Sequence, residues 1–194
     1  MEKNRLEAFT DGVMAVIITI MVLELKVPHG ADLAALASTW PVFLSYVLSF
    51  LYVGVYWNAH HHLLQASRLV SGNVLWANLH LLFWLSLIPF STGWMGENHF
   101  GRMPVAVFGT NLLLAAIAYL VLQATLVRLD GSEGTLAQAI GRDWKGKVSA
   151  AFYPVGISLA LWAPPWMGFL GLWVPALMWA IPDRRVERVI SQSQ

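Results

Sequence analysis

The sequence predicts an all-α membrane protein that crosses the bilayer six times. Three observations carry that expectation: an apolar composition, uncharged runs of membrane-spanning length, and basic residues gathered on one side. Of the 194 residues, 57% are hydrophobic and only 12% charged. A soluble domain carries about 25% charged residues, so this surface is suited to lipid. The net charge of +1 leaves no basic footprint for nucleic acid. The absence of cysteine excludes disulfides and thiolate metal sites. No signal-peptide pattern is evident. The first apolar run carries Glu7 and Asp11, and no small-residue cleavage site follows it, so it reads as a mature helix.

A span needs about 20 mostly apolar residues. The first covers approximately 6–25 and ends before Pro28, His29 and Gly30, which break helices. The second covers 40–64, because between Asp32 and Arg68 the chain carries no charge beyond His60, His61 and His62. Ser71, Gly72 and Asn73 form a turn into a third span, 74–92, closed by Gly93, Gly96 and Asn98. Residues 103–127 are uncharged and supply the fourth, 104–126. The polar loop 128–147 follows. The last apolar block, 148–182, would be about 52 Å long as one helix, against a hydrocarbon core of about 30 Å. Pro164 and Pro165 interrupt it, which gives spans 148–163 and 166–182, with a re-entrant hairpin as the alternative. No internal repeat or second domain is evident, so 1–194 reads as one transmembrane domain.

Charge placement tests the count. Six spans put Lys3, Arg5, Arg68, Arg128, Arg142, Lys145, Lys147, Arg184, Arg185 and Arg188 on one side, and only Lys26 and Arg102 on the other. That bias makes both termini cytoplasmic, in the plasma membrane. Trp40, Trp94 and Trp144 fall near span ends, as an interfacial belt requires.

The first span carries Arg5, Glu7 and Asp11 at its cytoplasmic end. Ionisable groups at such depth are costly and face protein or water, paired with a partner. One reading is a snorkelling Arg5 and a structural, buried Asp11. His60, His61 and His62 lie at matching depth on span two, so an Asp11–His60 or Asp11–His61 hydrogen bond is expected. Successive helical residues diverge by about 100°, so the three histidines cannot share one metal ion.

The segment RLEAFTDG, Arg5 to Gly12, resembles the R-x-x-x-F-S-D signature of the transmembrane protein 175 family of endolysosomal and bacterial potassium channels. The likeness continues through GVMAVIITIMVLELKVP to Pro28, YWNAHHHLL in span two and NLHLLFWLSLIPFSTGWMGE in span three. Arg5, Phe9, Thr10 and Asp11 are the motif positions; Thr10 stands where the family usually has Ser, and keeps the hydroxyl. The resemblance implies a potassium-selective cation channel whose pore is lined by the first helix. It implies apolar rings at Val16, Ile20 and Leu23, with Thr19 as a hydroxyl layer for selectivity; no T-V-G-Y-G filter occurs in the chain. With Val16 at 0°, Ile20 falls at about +40°, Leu23 at about −20°, Thr19 at about −60° and Asp11 at about 220°, so Asp11 is expected to turn away from the pore into its own subunit. Residues 12–23 are apolar on every side, so periodicity alone does not select this face. Without the resemblance, Val16, Ile20 and Leu23 read as lipid-facing or core residues.

One helix cannot enclose a pore, so the resemblance implies a homotetramer. Its partners are then other copies of itself, lipid and permeant potassium ions, with no cofactor, no nucleic acid and no enzymatic activity. Val16, smaller than the residue many relatives carry, implies a looser ring than Ile20 or Leu23. Arg5 is expected near the cytoplasmic mouth and Glu24 near the outer one. The competing reading is a proton-coupled transporter that relays protons through Asp11, His60, His61, His80, Glu24 and Glu97. An intramembrane enzyme with a histidine-bound metal is a third, and His60–His62 in a row lacks the spacing it needs.

Overall fold

The computed structural model describes residues 3–67, 69–131, 134, 136 and 144–180, with the side chains of residues 144, 145 and 147 excepted. From the charge and belt arguments, Arg68, Arg142, Arg184, Arg185 and Arg188 lie outside the described residues, as do the side chains of Trp144, Lys145 and Lys147. The described chain forms helices α1 (Lys3–Leu23), α2 (Leu33–Ser38), α3 (Trp40–Ala66), α4 (Gly72–Ser86), α5 (Ile88–Glu97), α6 (Arg102–Asp130), α7 (Trp144–Trp162) and α8 (Pro165–Ala180).

Four segments are long and apolar enough to cross a membrane: α1, α3, the α4–α5 pair taken together, and α6. The apolar part of α7, Val148–Trp162, is shorter, and α8 has 16 residues. At 1.5 Å per residue α8 reaches about 24 Å, less than a hydrocarbon core of about 30 Å. The α7–α8 turn falls at Ala163 and Pro164, where the proline pair breaks the last apolar block. The short α2 was not expected. Its cap is Asp32, whose side chain accepts from Ala35 N at 2.8 Å.

The third expected span is two helices rather than one. Leu87 separates α4 from α5, and Pro89 sits in the first turn of α5, where a missing N–H is tolerated. The break leaves backbone groups to be satisfied inside an apolar core. Asn111 of α6 meets them: its amide nitrogen donates to Trp84 O at 3.0 Å, and its oxygen accepts from Ile88 N at 3.3 Å and Ser91 Oγ at 3.2 Å, the orientation that satisfies both ends.

The elements form two groups. α1 packs against α3, α4 and α5, while α7 and α8 pack on each other and on α6, which also packs along α4. Tyr52, Met14, Leu48, Leu81, Phe108 and Leu122 are fully buried between them. Small residues set the closest approaches, since lipid tails are as apolar as the helices and leave close packing to hold helices together. A Cβ on Gly96 of α5 would lie 2.8 Å from Val42 Cα, and one on Gly168 of α8 would lie 2.7 Å from Ala160 Cα. Between α5 and α6 the chain turns through His99 and Phe100, both at positive φ (48° and 57°). That conformation is uncommon for side-chain-bearing residues. Phe100 is held there by rings on either side, Trp40 at 5.5 Å and Phe169 at 4.3 Å between centroids.

Gly168→Ala forces α7 and α8 apart at the backbone and should cost about 1–3 kcal/mol, the usual range for overpacking. Gly171→Ala, whose added Cβ would sit 3.3 Å from Gly156 Cα, asks for a smaller shift. Thermal unfolding of the two purified variants should rank Gly168→Ala below Gly171→Ala, and equal melting temperatures would refute this account of the hairpin.

Candidate functional site

α1 has two faces, although its sequence is apolar nearly all round. Leu6, Thr10, Met14, Ile17 and Met21 are buried, a spacing of four, four, three and four that marks one side of a helix. The opposite side is bare within the single chain. Phe9 is 52% exposed, Val16 54%, Ile20 43% and Leu23 79%. Thr19 is also exposed, and its hydroxyl donates to Val16 O at 2.8 Å. Val16, Ile20, Leu23 and Thr19 therefore share the uncovered side of α1. A hydroxyl satisfied by its own helix still has lone pairs to offer outward. Arg5, one turn below Phe9, is exposed on the same side. Gly12 lies there as well, with open space where a Cβ would be.

The buried side carries a polar core at one depth. Asn78 of α4 donates through Nδ2 to Thr10 Oγ1 at 2.9 Å, and its Oδ1 meets His60 Nε2 of α3 at 2.8 Å. All three side chains are buried: Thr10 and Asn78 are fully enclosed and His60 is 2% exposed. The amide oxygen can only accept, so His60 donates from Nε2 and its tautomer is set by this bond. Three helices are joined by two hydrogen bonds. A hydroxyl is what the position of Thr10 requires, and threonine supplies it.

Asp11 lies elsewhere. Among the described residues the expected bond from Asp11 to His60 or His61 is absent: Asp11 Oδ1 accepts from Trp57 Nε1 at 2.9 Å, and Asp11 is exposed at the edge of the chain instead of turned into it. The helical angle is the reason. Asp11 sits about 100° away from the centre of the buried face, too far round to reach the core beside Thr10. His61, four residues after Trp57, stacks on its indole at 5.9 Å and 14°. His62 is half-buried, and its Nδ1 has no hydrogen-bond partner among the described residues. Asp11 and His60 thus belong to separate hydrogen-bonded groups, which removes the direct link that a proton relay between them needs. His80 is on the outer side of α4, accepting from Trp84 Nε1 at 3.0 Å. Among the described residues no group of three or more His, Asp or Glu is placed to hold a metal ion.

At its C-terminal end, α1 gives way to Glu24–Lys26, whose backbone bonds form a turn. The Glu24 carboxylate rests on Gly93, close enough that a Cβ there would come within 2.9 Å of Oε2. Glu24 is therefore folded against α5 of its own chain. Lys26 pairs with Glu97 at the end of α5. The hydrogen bond to Glu97 and its negative charge raise the Lys26 pKa above the usual lysine range. A raised lysine pKa stabilises below the ordinary value and is lost only as pH climbs through the raised one, so the link persists at every pH from neutral to about 10.

Asn78 and Trp57 were not singled out from the sequence. A single amide amid the apolar residues of a span was the available signal for Asn78, since such a group must find a partner. The i, i+4 spacing of Trp57 and His61 was the signal for the second. Asn78→Leu leaves His60 buried without its partner, while Thr10 can still bond its own helix, and should lower stability by about 1–3 kcal/mol. Trp57→Phe frees only an exposed carboxylate and should cost less. Thermal unfolding in detergent orders the pair, and an Asn78→Leu protein as stable as the parent would dismiss the buried network as a source of stability.

Comparison with known proteins places this geometry in context. Residues 5–89, which run from α1 into the start of α5, match the family model described as "Endosomal/lysosomal potassium channel TMEM175". A potassium channel of Chryseobacterium sp. (strain P1-3) is 49% identical over 193 residues, covering 100% of both chains. The human endosomal/lysosomal proton channel TMEM175 is 32% identical over 143 residues, 64% of this chain and 28% of that protein. The crystal structure of a lysosomal potassium-selective channel TMEM175 homologue from Chamaesiphon minutus superposes with a TM-score of 0.81 at 26% identity, covering 92% of this chain and 96% of the other. With full-length similarity at 49% identity, a family model matched across α1, α3 and α4, and a shared fold, the chain is a multi-pass membrane protein and a member of the TMEM175 channel family.

Proposed function

We propose that this chain is a potassium channel in which four copies surround one pore, each contributing α1. The observation that carries the reading is the uncovered side of α1: Phe9, Val16, Thr19, Ile20 and Leu23 stand exposed in the single subunit, in a helix packed only along its other side. The relatives support the ion, since the 49% identical protein is a potassium channel and the solved homologue is potassium-selective. Six spans per copy, with α7 and α8 as the last two, put both termini on the cytoplasmic side of the plasma membrane.

On this reading Val16, Ile20 and Leu23 form successive apolar rings. Such rings exclude water when narrow and pass an ion when they widen. No charged or carbonyl ligand is presented there, so selectivity falls to ring diameter and to the Thr19 hydroxyl. Because Thr19 donates to its own helix, its lone pairs face outward as acceptors for a cation. Val16 makes the widest ring, and Ile20 or Leu23 the tightest. Arg5 lies at the cytoplasmic end of the same face. Leu23, the most exposed of the three, closes the outer end.

Purified protein in liposomes should carry potassium down an imposed gradient, with sodium flux lower. Ile20→Ala or Leu23→Ala should raise the flux or weaken the preference for potassium, whereas Met14→Leu, on the buried side, should leave permeation as it is. Absence of potassium flux, together with indifference to both alanine variants, would sink the pore assignment.

A further inference from the structure

Arg102 is a cation with donors to spare at a membrane surface. It is the first residue of α6, which is long and apolar enough to span, so it stands at one face of the bilayer. Three segments of that kind precede it, α1, α3 and the α4–α5 pair, which puts that face opposite the one where α1 begins. Lys26 lies on the same face and is paired with Glu97, whereas Arg102 has no carboxylate partner among the described residues. Its Nη1 donates to Leu161 O at 2.6 Å, at the C-terminal end of α7. A guanidinium has five N–H donors, and this side chain is exposed, so the rest of the fork is left for another acceptor.

A groove of about 440 Å³ runs along α7 from that end, lined by Pro154, Val155, Ser158, Leu159, Trp162 and Ala163. Trp162 and Ala163 directly follow Leu161, so the groove reaches the surface beside Arg102. From Trp162 down to Pro154 is about 12 Å at 1.5 Å per residue. One leaflet of a hydrocarbon core of about 30 Å is about 15 Å deep, so the groove has the reach of a single acyl chain. Its lining is apolar apart from two donors. Trp162 is 79% exposed, and Ser158, one turn deeper, is exposed as well. Among the described residues neither the indole N–H nor the serine hydroxyl has a hydrogen-bond partner. In plain hydrocarbon such groups are costly. Guanidinium, indole and hydroxyl thus descend in order from the surface. A phospholipid presents its acceptors in the same order, phosphate first and glycerol ester carbonyls just beneath, with the acyl chains below.

We propose that this groove binds one phospholipid from the leaflet opposite the start of α1. Its phosphate sits on the free side of the Arg102 fork, whose paired N–H groups suit a two-oxygen acceptor. Trp162 lies at the headgroup level, where tryptophan is favoured at membrane interfaces. Ser158 donates to an ester carbonyl, and one acyl chain runs over Leu159 and Val155 to Pro154. Because Arg102 also holds Leu161 O, the lipid is tied to the junction of α6 and α7. An anionic headgroup is preferred over a zwitterionic one, since no carboxylate among the described residues offsets Arg102. The site lies on α6 and α7 of a single copy, and α1 takes no part in it.

The chain has no cysteine, so Val155→Cys gives a single place for a small fluorophore inside the groove. The labelled full chain is reconstituted in phosphatidylcholine vesicles that hold a small share of either phosphatidylglycerol or phosphatidylcholine brominated midway along its chains. Bromine quenches on contact, so the signal reports which lipid occupies the groove. One cation near the surface favours an anionic lipid about fivefold, so brominated phosphatidylglycerol should quench well beyond its share of the bilayer. Arg102→Gln should bring that quenching down to the level given by brominated phosphatidylcholine. Arg102→Lys should keep most of the excess, which separates loss of charge from a disturbed α6–α7 junction. Equal quenching by the two lipids in the parent, or an excess that survives Arg102→Gln, leaves ordinary lipid contact only and overturns the proposal. No quenching by either lipid means that protein covers the groove, a second copy included, and overturns it too. Potassium flux is read separately, so a failed pore and a failed lipid site are told apart.

Discussion

The Thr10–Asn78–His60 network is the constraint on which the arrangement of α1 depends. Inside a bilayer the hydrophobic effect does not choose between helix surfaces, because lipid and side chain are equally apolar. Packing of small residues and hydrogen bonds between helices must choose instead. α1 shows the need plainly. Its apolar residues run round the whole helix, and any rotation would bury a comparable area. One hydroxyl fixes the rotation. With Thr10 bonded to Asn78, the faces of every other residue on α1 follow, including which valine and isoleucine are left bare. The same bonds lock three helices at a common height, so the uncovered side of α1 is presented by a braced unit and not by a free helix.

A second level of bracing holds the ends. Lys3 Nζ donates to Gln65 O near one end, and at the other Lys26 pairs with Glu97 while Glu24 lies on Gly93. These contacts join α1 to α3 and α5 at the membrane surfaces, where charge is inexpensive. The apolar middle of α1 is left to close packing through Met14, Ile17 and Met21. The group formed by α6, α7 and α8 stands behind. It touches the first group through α3, α4 and α5, with Tyr52 OH donating to Leu172 O across the boundary. Between the groups a cavity of about 40 Å³ is lined by Tyr52, Tyr56, Tyr119 and Tyr153 together with Ser149 and Trp179. That volume has room for about two or three water molecules beside phenolic groups able to hold them.

Much of this was legible in the sequence and some was not, for physical reasons. Helix positions were legible because an apolar run must match the thickness of the hydrocarbon, and because breakers follow or interrupt it at Pro28–Gly30 and at Pro164 and Pro165. The division of the third span was half-legible: Pro89 marked the place, but nothing local says that α4 stops at Ser86, since the helix could have bent through it. Asn111, remote in sequence, supplies the bonds that make a full break affordable. The faces of α1 were not legible from periodicity, because a helix apolar all round has no period to read. Resemblance selected Val16, Ile20 and Leu23, and all three stand exposed in the single chain. Asp11 was misassigned because depth alone pointed to the histidines. The indole of Trp57 sits at that depth too, and its single N–H is hidden within what reads as an apolar residue.

The Thr10–Asn78 bond also has a consequence for the order of synthesis. Its two partners are 68 residues apart. At a translation rate of about 5–20 residues per second, Asn78 is made some seconds after Thr10, roughly 3–14 s. α1 is therefore complete before the residue that will orient it exists. A hydroxyl is suited to that interval. Threonine can donate to a carbonyl of its own helix while it waits, and its lone pairs stay free to accept from the amide when α4 arrives. An ionised carboxylate at position 10 would have no proton to donate to such a carbonyl. The residue that fixes the finished helix is thus also one that the nascent helix can carry alone.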